Sequence, residues 1–416
     1  MIRVTALDNG LRIVTERMPD VRSVTFGIEV GTGSRDEPAA SAGASHFLEH
    51  LLFKGTATRT GREISELIDA AGGDMNAATG REVTSYHTRV LDDDAALGLD
   101  LLCETVLKPA LLAEDVEIER GVILEELLLR GDEPGDLVHD VFVEALFPDH
   151  PLGRDPLGTE ETVAGLDRAG IHAFWAEHYR PANMVVAAAG HLEHDDIVAA
   201  VSARFEGLDG GSAPSRTPPA PPSGSGAVSV VEEDTDQAHV IVGLRGLDRT
   251  DPARYPLAVL EHVLGGGLSS RLWQQVREER GLAYSVYSYR SSYQGAGTLS
   301  VYAGTAPDHL DEVLGLCTGI LDDLAAHGAT AREVEVAQGH LVGDLALSLE
   351  DSASRMGRIG RALLVHGAVE TFEEVVARIR SVTRAEVAEL AARLLSGPRT
   401  LAVVGPVEKA ALSAWV

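Results

Sequence analysis

Apolar and polar positions alternate over 24–30, where Val24, Phe26, Ile28 and Val30 take every second place, and again at Val240, Val242 and Leu244. A period of two predicts a β-strand at each. Each strand is followed by the same succession: a helix, a glycine, a pair of strands, a long Leu/Ala-rich helix and a closing strand after a proline. The strand pairs fall at 74–79 with 83–90, and at 283–289 with 297–303. The closing strands fall at 183–189 after Pro181 and at 400–404 after Pro398. In the first half, Thr60 and Glu63 form a capping box, Ile64, Leu67, Ile68 and Ala71 repeat at helical spacing, and Gly72-Gly73 end that helix. One succession met twice predicts an internally duplicated α+β protein.

Between the repeats, 207–227 holds Gly210-Gly211, Pro218-Pro219, Pro221-Pro222 and Ser223-Gly224-Ser225-Gly226, with almost no large apolar residue. Such a Pro/Gly/Ser stretch is a linker. It sets the expected domains at 1–206 and 228–416. The 416 residues suffice for two cores, and no apolar run reaches the length of ~18 residues that a membrane-spanning helix needs. The formal net charge is −29. A surface this acidic repels nucleic acid and anionic membranes and favours cationic partners. Cys103 and Cys317 sit in apolar helical stretches, which predicts buried thiols rather than a disulfide framework. The opening Met1-Ile2-Arg3-Val4-Thr5 has neither an apolar signal region nor an Arg/Ser-rich leader, and a cytoplasmic location is the expectation.

Candidate chemistry lies in Ser45-His46-Phe47-Leu48-Glu49-His50-Leu51-Leu52-Phe53. Read as a helix, it places Phe47, Leu48, Leu51 and Leu52 on one face. His46, Glu49 and His50, at i, i+3 and i+4, share another. Two imidazoles one turn apart can reach a single Zn²⁺ at ~2.0–2.1 Å. The glutamate between them stands beside the ion, placed to take a proton from water whose pKa the metal has lowered to around 7. The order H-x-x-E-H is the inverzincin motif. A catalytic zinc takes a third protein ligand and keeps one position open. In the helix after Asp115, Glu119, Val122, Ile123 and Glu126 form a stripe, and carboxylates facing inward there call for a compensating charge.

His46-Phe47-Leu48-Glu49-His50 with Leu51-Leu52-Phe53-Lys54-Gly55-Thr56 resembles the pitrilysin family, which includes the mitochondrial processing peptidases and insulin-degrading enzyme. The family's third ligand stands as far beyond the second histidine as Glu126 does here, 76 positions after His50. Glu119-Arg120-Gly121-Val122-Ile123-Leu124-Glu125-Glu126, Pro151-Leu152-Gly153-Arg154 and the opening Leu7-Asp8-Asn9-Gly10-Leu11 also resemble family segments. The resemblance implies two homologous α/β-sandwich domains, each a mostly antiparallel sheet with helices on one side. It further implies one Zn²⁺ per chain on His46, His50 and Glu126, Glu49 as general base, and Glu119 as an accessory glutamate that steadies the imidazole or the water.

Four further expectations rest on the same resemblance. Arg277 and Tyr284, seven apart in the second half, match an Arg/Tyr pair that lies near the scissile bond. The strand holding Asn76 and Ala77 resembles an edge strand to which a peptide adds. Asp136 and Asp140 resemble acidic positions that recognise a basic residue upstream of the cut. Single-chain relatives are roughly twice this length, with the two motif sets on opposite halves of a clamshell. A homodimer enclosing a chamber is therefore expected, with Arg277 and Tyr284 acting on the partner's zinc site. The implied activity is a zinc endopeptidase for short, unfolded, presequence-like or cationic peptides. The alternative is an inactive partner subunit of a larger peptidase, although such members lose the zinc ligands that this chain keeps.

Overall fold

The structure is a computed structural model that describes residues 1–220 and 226–412 together with Trp415. Of the linker, Pro221-Pro222 and Ser223-Gly224-Ser225 lie outside the described residues; the remainder of 208–227 carries no helix or strand. The strands are β1 (Ile2–Ala6), β2 (Arg12–Arg17), β3 (Ser23–Val30), β4 (Asp74–Thr79), β5 (Thr84–Leu91) and β6 (Met184–Gly190) in the first half. The second half has β7 (Val228–Glu232), β8 (Ala238–Arg245), β9 (Ala283–Tyr293), β10 (Ala296–Thr305) and β11 (Thr400–Gly405). They form a six-stranded sheet in the order β1-β2-β6-β3-β5-β4 and a five-stranded sheet in the order β7-β11-β8-β10-β9.

The duplication is visible in the pairing. Apart from the extra β1, each sheet has one parallel pair, β2 with β6 and β7 with β11, at the same place in the order. The remaining pairs are antiparallel. The protein is thus α+β with mainly antiparallel sheets.

Compactness divides the chain in a way the linker alone does not. One unit comprises Met1–Leu127, Arg154–Ser215 and Ala346–Thr371; the other comprises Leu128–Gly153, Arg216–Leu345 and Phe372–Val416. All strands of the first sheet precede the linker and all strands of the second follow it, but each unit takes one helical segment from the opposite half. Helices therefore cover both faces of each sheet, not one side only.

The physical reason lies in the central strands. β6 is buried along its whole length. Met184, Val186 and Ala188 enter the main core with Phe26, Phe47 and Leu48. Val185, Ala187 and Ala189 face the other way, onto Met356, Ile359 and Leu363 of the helix Ser352–His366. A strand apolar on both faces needs cover on both. Polar contacts fix the helix in place: Arg12 donates to the Leu363 carbonyl at 2.9 Å, Arg355 pairs with Glu16 at 2.5 Å, and the Ser352 hydroxyl meets those of Ser23 and Thr25. Gly27 leaves room for Met356, whose sulfur would lie 2.2 Å from a Cβ at that position.

The second sheet repeats this device. The helix Pro134–Leu146 lays Val138, Phe142 and Leu146 on Ile241, Ala402 and Val404. Gly243 makes way for the Phe142 ring as Gly27 does for Met356.

Ile359 is fully buried on the first sheet. Ile359→Ala is expected to lower stability by ~2–5 kcal/mol, read as a drop in urea midpoint at unchanged slope. An unchanged midpoint would show that the helix Ser352–His366 does not pack as described.

Candidate metal centre

Two helices bring the site together, α1 (Ala44–Leu52) and α2 (Ala113–Gly131), and the site residues they carry all belong to the first unit. Phe47, Leu48, Leu51 and Leu52 of α1 are buried in the core, so its opposite face presents His46, Glu49 and His50. The start of α1 is held from outside the helix. Gly43, in the left-handed region at φ 94°, offers no capping side chain. Instead the buried Glu37 accepts the Gly43 N–H at 2.8 Å and the Ser45 N–H at 2.7 Å, one on each carboxylate oxygen. An anion at a helix N-terminus is favoured by the helix dipole. Burial nevertheless pushes the Glu37 carboxyl up to about 7, against the downward pull of those N–H groups and of Arg154.

α2 supplies Glu119, which is buried, and Glu126, which is half-buried. Ile123 lies on the same inward stripe, but Val122 is 47% exposed. The inward face is therefore narrower than the sequence spacing implies.

His46 Nε2 stands 3.6 Å from Glu126 Oε2, and His50 Nε2 stands 3.7 Å from the same oxygen. The two imidazole centroids are 4.6 Å apart, with the rings at 69°. Among the described residues these three form the one group of potential ligands whose donor atoms all lie within 4.8 Å of one another. Tetrahedral ligation at ~2.0–2.1 Å puts donor atoms ~3.3 Å apart, close to these separations. Two imidazole nitrogens and a carboxylate oxygen facing one point are the donor types that a divalent cation draws together. The donor set therefore fits a divalent ion such as zinc.

Around this set, His50 Nδ1 donates to Glu119 Oε2 at 3.0 Å, which leaves Nε2 as the lone-pair nitrogen facing Glu126. Lys54 reaches the other Glu119 oxygen at 2.5 Å and balances its buried charge. Glu49 accepts a hydrogen bond from the Thr79 hydroxyl at the end of β4. Burial raises the Glu49 carboxyl above its usual range. Thr79 and the neighbouring His50 pull it back, while the charge of Glu126 adds to the rise.

Asn76 and Ala77 lie on β4, the last strand of the first sheet. Asn76 is exposed, and its side-chain oxygen accepts the Ala77 N–H at 2.8 Å. The remaining candidates lie in the other unit. Arg277 stacks 4.0 Å above the Trp273 ring and 4.7 Å from the ring of Tyr284, which is 80% exposed. Asp140 is engaged by Arg130 at 2.8 Å, which takes up its charge within the fold. Asp136, in the first turn of its helix, lies close enough to Tyr287 and Tyr302 for its charge to add to the burial that raises both phenols.

Sequence reasoning missed Lys54, Thr79 and Glu37. Lys54 had a signal, lying four positions after His50 in the turn just past the end of α1. Thr79 shares the inward side of β4 with Met75 and Ala77, which a period of two reveals. Glu37 lies in an irregular segment whose contacts are non-local. A further echo is also legible: Leu260-Glu261-His262 repeats Leu48-Glu49-His50, but Ala258 stands where the first histidine would be. His262 there stacks on His340 at 4.3 Å, and burial, helped by His340, pushes its imidazole down to about 4.

The description "Insulinase (Peptidase family M16)" matches residues 12–160, and "Peptidase M16 inactive domain" matches 165–341. An uncharacterized zinc protease of Streptomyces coelicolor is 47% identical over 98% of this chain and 90% of its own. One from Mycobacterium tuberculosis is 45% identical over 97% and 93%, and one from Bacillus subtilis 38% over 98% of both. Among solved structures, a peptidase M16 inactive domain from Pseudomonas fluorescens superposes with TM-score 0.92 at 22% identity, covering 98% of both chains. A protease from Helicobacter pylori gives 0.89 at 22%, covering 97% of this chain and 99% of its own. At that identity the two share the fold.

His50→Ala is expected to abolish stoichiometric zinc binding in metal analysis, whereas retention of one zinc per chain would remove His50 from the donor set. The folded Glu37 carboxyl holds its proton more tightly than the unfolded one, whose value is near 4.5. Its favourable contribution is therefore full below about 4.5 and is lost as the pH rises through about 7. Wild type should lose stability relative to Glu37→Gln between about pH 5 and pH 8, measured as the difference in urea midpoints; a difference independent of pH would contradict this.

Proposed function

Because the chain belongs to peptidase family M16, the insulinase family, we propose that it is a zinc-dependent endopeptidase acting on short or unfolded polypeptides. The observation that carries this reading is the convergence of His46 Nε2, His50 Nε2 and a Glu126 carboxylate oxygen beside Glu49. The description "inactive domain" favours the second reading, an inactive partner subunit. That description falls on 165–341, outside all five residues of the site.

When bound, one zinc per chain supplies Lewis-acid activation of water and of the scissile carbonyl. Glu49 accepts the proton that the attacking water loses and returns it to the departing amine. Glu119, backed by Lys54, keeps the His50 ring in one tautomer and one orientation. A peptide adds to the free edge of β4 beside Asn76 and Ala77, where main-chain bonds give affinity without a strict sequence demand. The net charge of −29, with Asp136 contributing, favours cationic or presequence-like peptides. It disfavours nucleic acid and anionic membranes. Among the described residues no helix is long and apolar enough to cross a membrane. Cys103 and Cys317 are both buried and unbridged, which agrees with a reducing compartment such as the cytoplasm.

The working form is a homodimer enclosing a chamber. In it, Arg277 and Tyr284 of one copy hydrogen-bond the carbonyl oxygen of a peptide bound at the zinc site of the other. The Trp273 ring beneath Arg277 fixes the guanidinium, and the exposure of Tyr284 leaves its ring open to such a partner.

Glu49→Gln is expected to keep its zinc and lose turnover of a quenched-fluorescent peptide by roughly 10²–10⁴-fold. Turnover near the wild-type rate would remove Glu49 as the base, and a wild type without chelator-sensitive cleavage would overturn the peptidase reading. Mixing Glu49→Gln with Arg277→Ala should restore part of the activity that each lacks alone, through dimers holding one intact site. No recovery on mixing, or a fully active monomer in sedimentation, would contradict action in trans.

A further inference from the structure

We propose that Thr79 is a positioning residue for hydrolysis: its hydroxyl holds the Glu49 carboxylate against the end of β4, joining the base to the strand that receives the peptide. This rests on the peptidase reading above and deepens it.

Three observations support the role. β4 is the terminal strand of its sheet, paired on one side only, with β5 through Asp74↔Arg89 to Thr79↔Thr84. Along it, Met75 and Ala77 pack toward the main core, and by the period of two Thr79 points the same way, toward α1. There its hydroxyl donates to the Glu49 carboxylate, and the Thr79 backbone N–H bonds the same group more weakly.

The place of Thr79 is itself fixed. It is the last residue before the turn 80–83, which Gly80 closes by donating to the Val83 carbonyl at 2.8 Å. The preceding loop clamps that turn: the Ser34 and Arg35 N–H groups bond the Gly80 and Arg81 carbonyls at 3.2 and 2.8 Å. Arg35 also pairs with Glu82 at 2.5 Å, both side chains being buried. A buried ion pair of this kind holds one geometry, because breaking it leaves an uncompensated charge.

Behind the site, the joined hydroxyls of Tyr86 and Tyr179 lie in the core, 2.8 Å apart and near enough to feel the charge of Glu49. The Tyr86 hydroxyl is engaged with Tyr179, and Thr79 anchors Glu49. Removing that hydroxyl leaves the weaker Thr79 N–H bond and loosens a carboxylate whose direction the proton transfer depends on. A displacement of about 1 Å there can cost on the order of 10²-fold in rate. Thr79→Val changes none of the metal ligands and keeps the backbone edge of β4.

The test compares wild type, Thr79→Val and Thr79→Ser on one quenched-fluorescent peptide, with kcat, KM, bound zinc and melting temperature measured for each. Thr79→Val keeps the shape and loses only the hydroxyl. It is expected to lower kcat about 10–100-fold with KM and zinc content unchanged, while Thr79→Ser recovers most of kcat. Thr79→Val at a kcat within about twofold of wild type overturns the proposal. So does Thr79→Ser falling as far as Thr79→Val, or a loss of kcat that follows a loss of zinc or folded protein in both variants. A wild type with no chelator-sensitive turnover overturns the peptidase reading and the role of Thr79 together; a turning-over wild type matched by Thr79→Val overturns Thr79 alone.

Discussion

Three carboxylates of an already acidic chain stand within reach of the same two imidazoles. Glu49, Glu119 and Glu126 face a small region beside a hydrophobic core, and electrostatics alone would drive them apart. Lys54 offsets Glu119, and His50 shares in it. For Glu126, the described residues bring His46 Nε2 and His50 Nε2 to within 3.6 and 3.7 Å. A divalent cation is the natural complement to that arrangement, and the surrounding fold can be read as the frame that keeps the donors converged. α1 is fixed by its apolar face and by Glu37 at its start, while α2 is anchored through buried Val116 and Ile123. The edge strand meets α1 at Glu49.

The duplication shows how little of such a frame is needed for folding as opposed to chemistry. Both sheets share their strand order, their parallel pair and a glycine beneath a covering helix. Yet the second half has Ala258 in place of the first histidine, and Ala337 on the helix Ala331–Ser348 where the first half carries Glu119 on its counterpart. Its remaining histidine lies against His340 as one ring on another. The scaffold survives the loss of the donor set because the core residues on the opposite helix face are retained. The description "inactive domain" falls on 165–341, which contains this repeat without the donor set, whereas His46, His50 and Glu126 all precede it.

Much of this was legible in the chain. Spacing gave the face carrying His46, Glu49 and His50, since a helix turns 100° per residue whatever surrounds it. The period of two gave the strands, and the repeated succession gave the two sheets. The exchanged helices escaped, because an amphipathic pattern shows that Met356, Ile359 and Leu363 need a partner without saying which sheet provides it. The unbroken apolar run through β6 did carry the hint that both its faces are buried. The contacts of Glu37 and Thr79 join residues distant in sequence, and no local periodicity encodes such a meeting. Asp140 shows the converse: a position suggestive in sequence whose charge Arg130 already meets.

Zinc K-edge X-ray absorption on the purified chain tests the central claim most directly. The account predicts one tightly bound zinc in a four-coordinate shell of nitrogen and oxygen scatterers at ~2.0–2.1 Å, with outer-shell imidazole features from two histidines and no sulfur. A sulfur shell, a six-oxygen shell without imidazole, or the same spectrum after Glu126→Ala and His46→Ala would place the metal elsewhere and contradict the account.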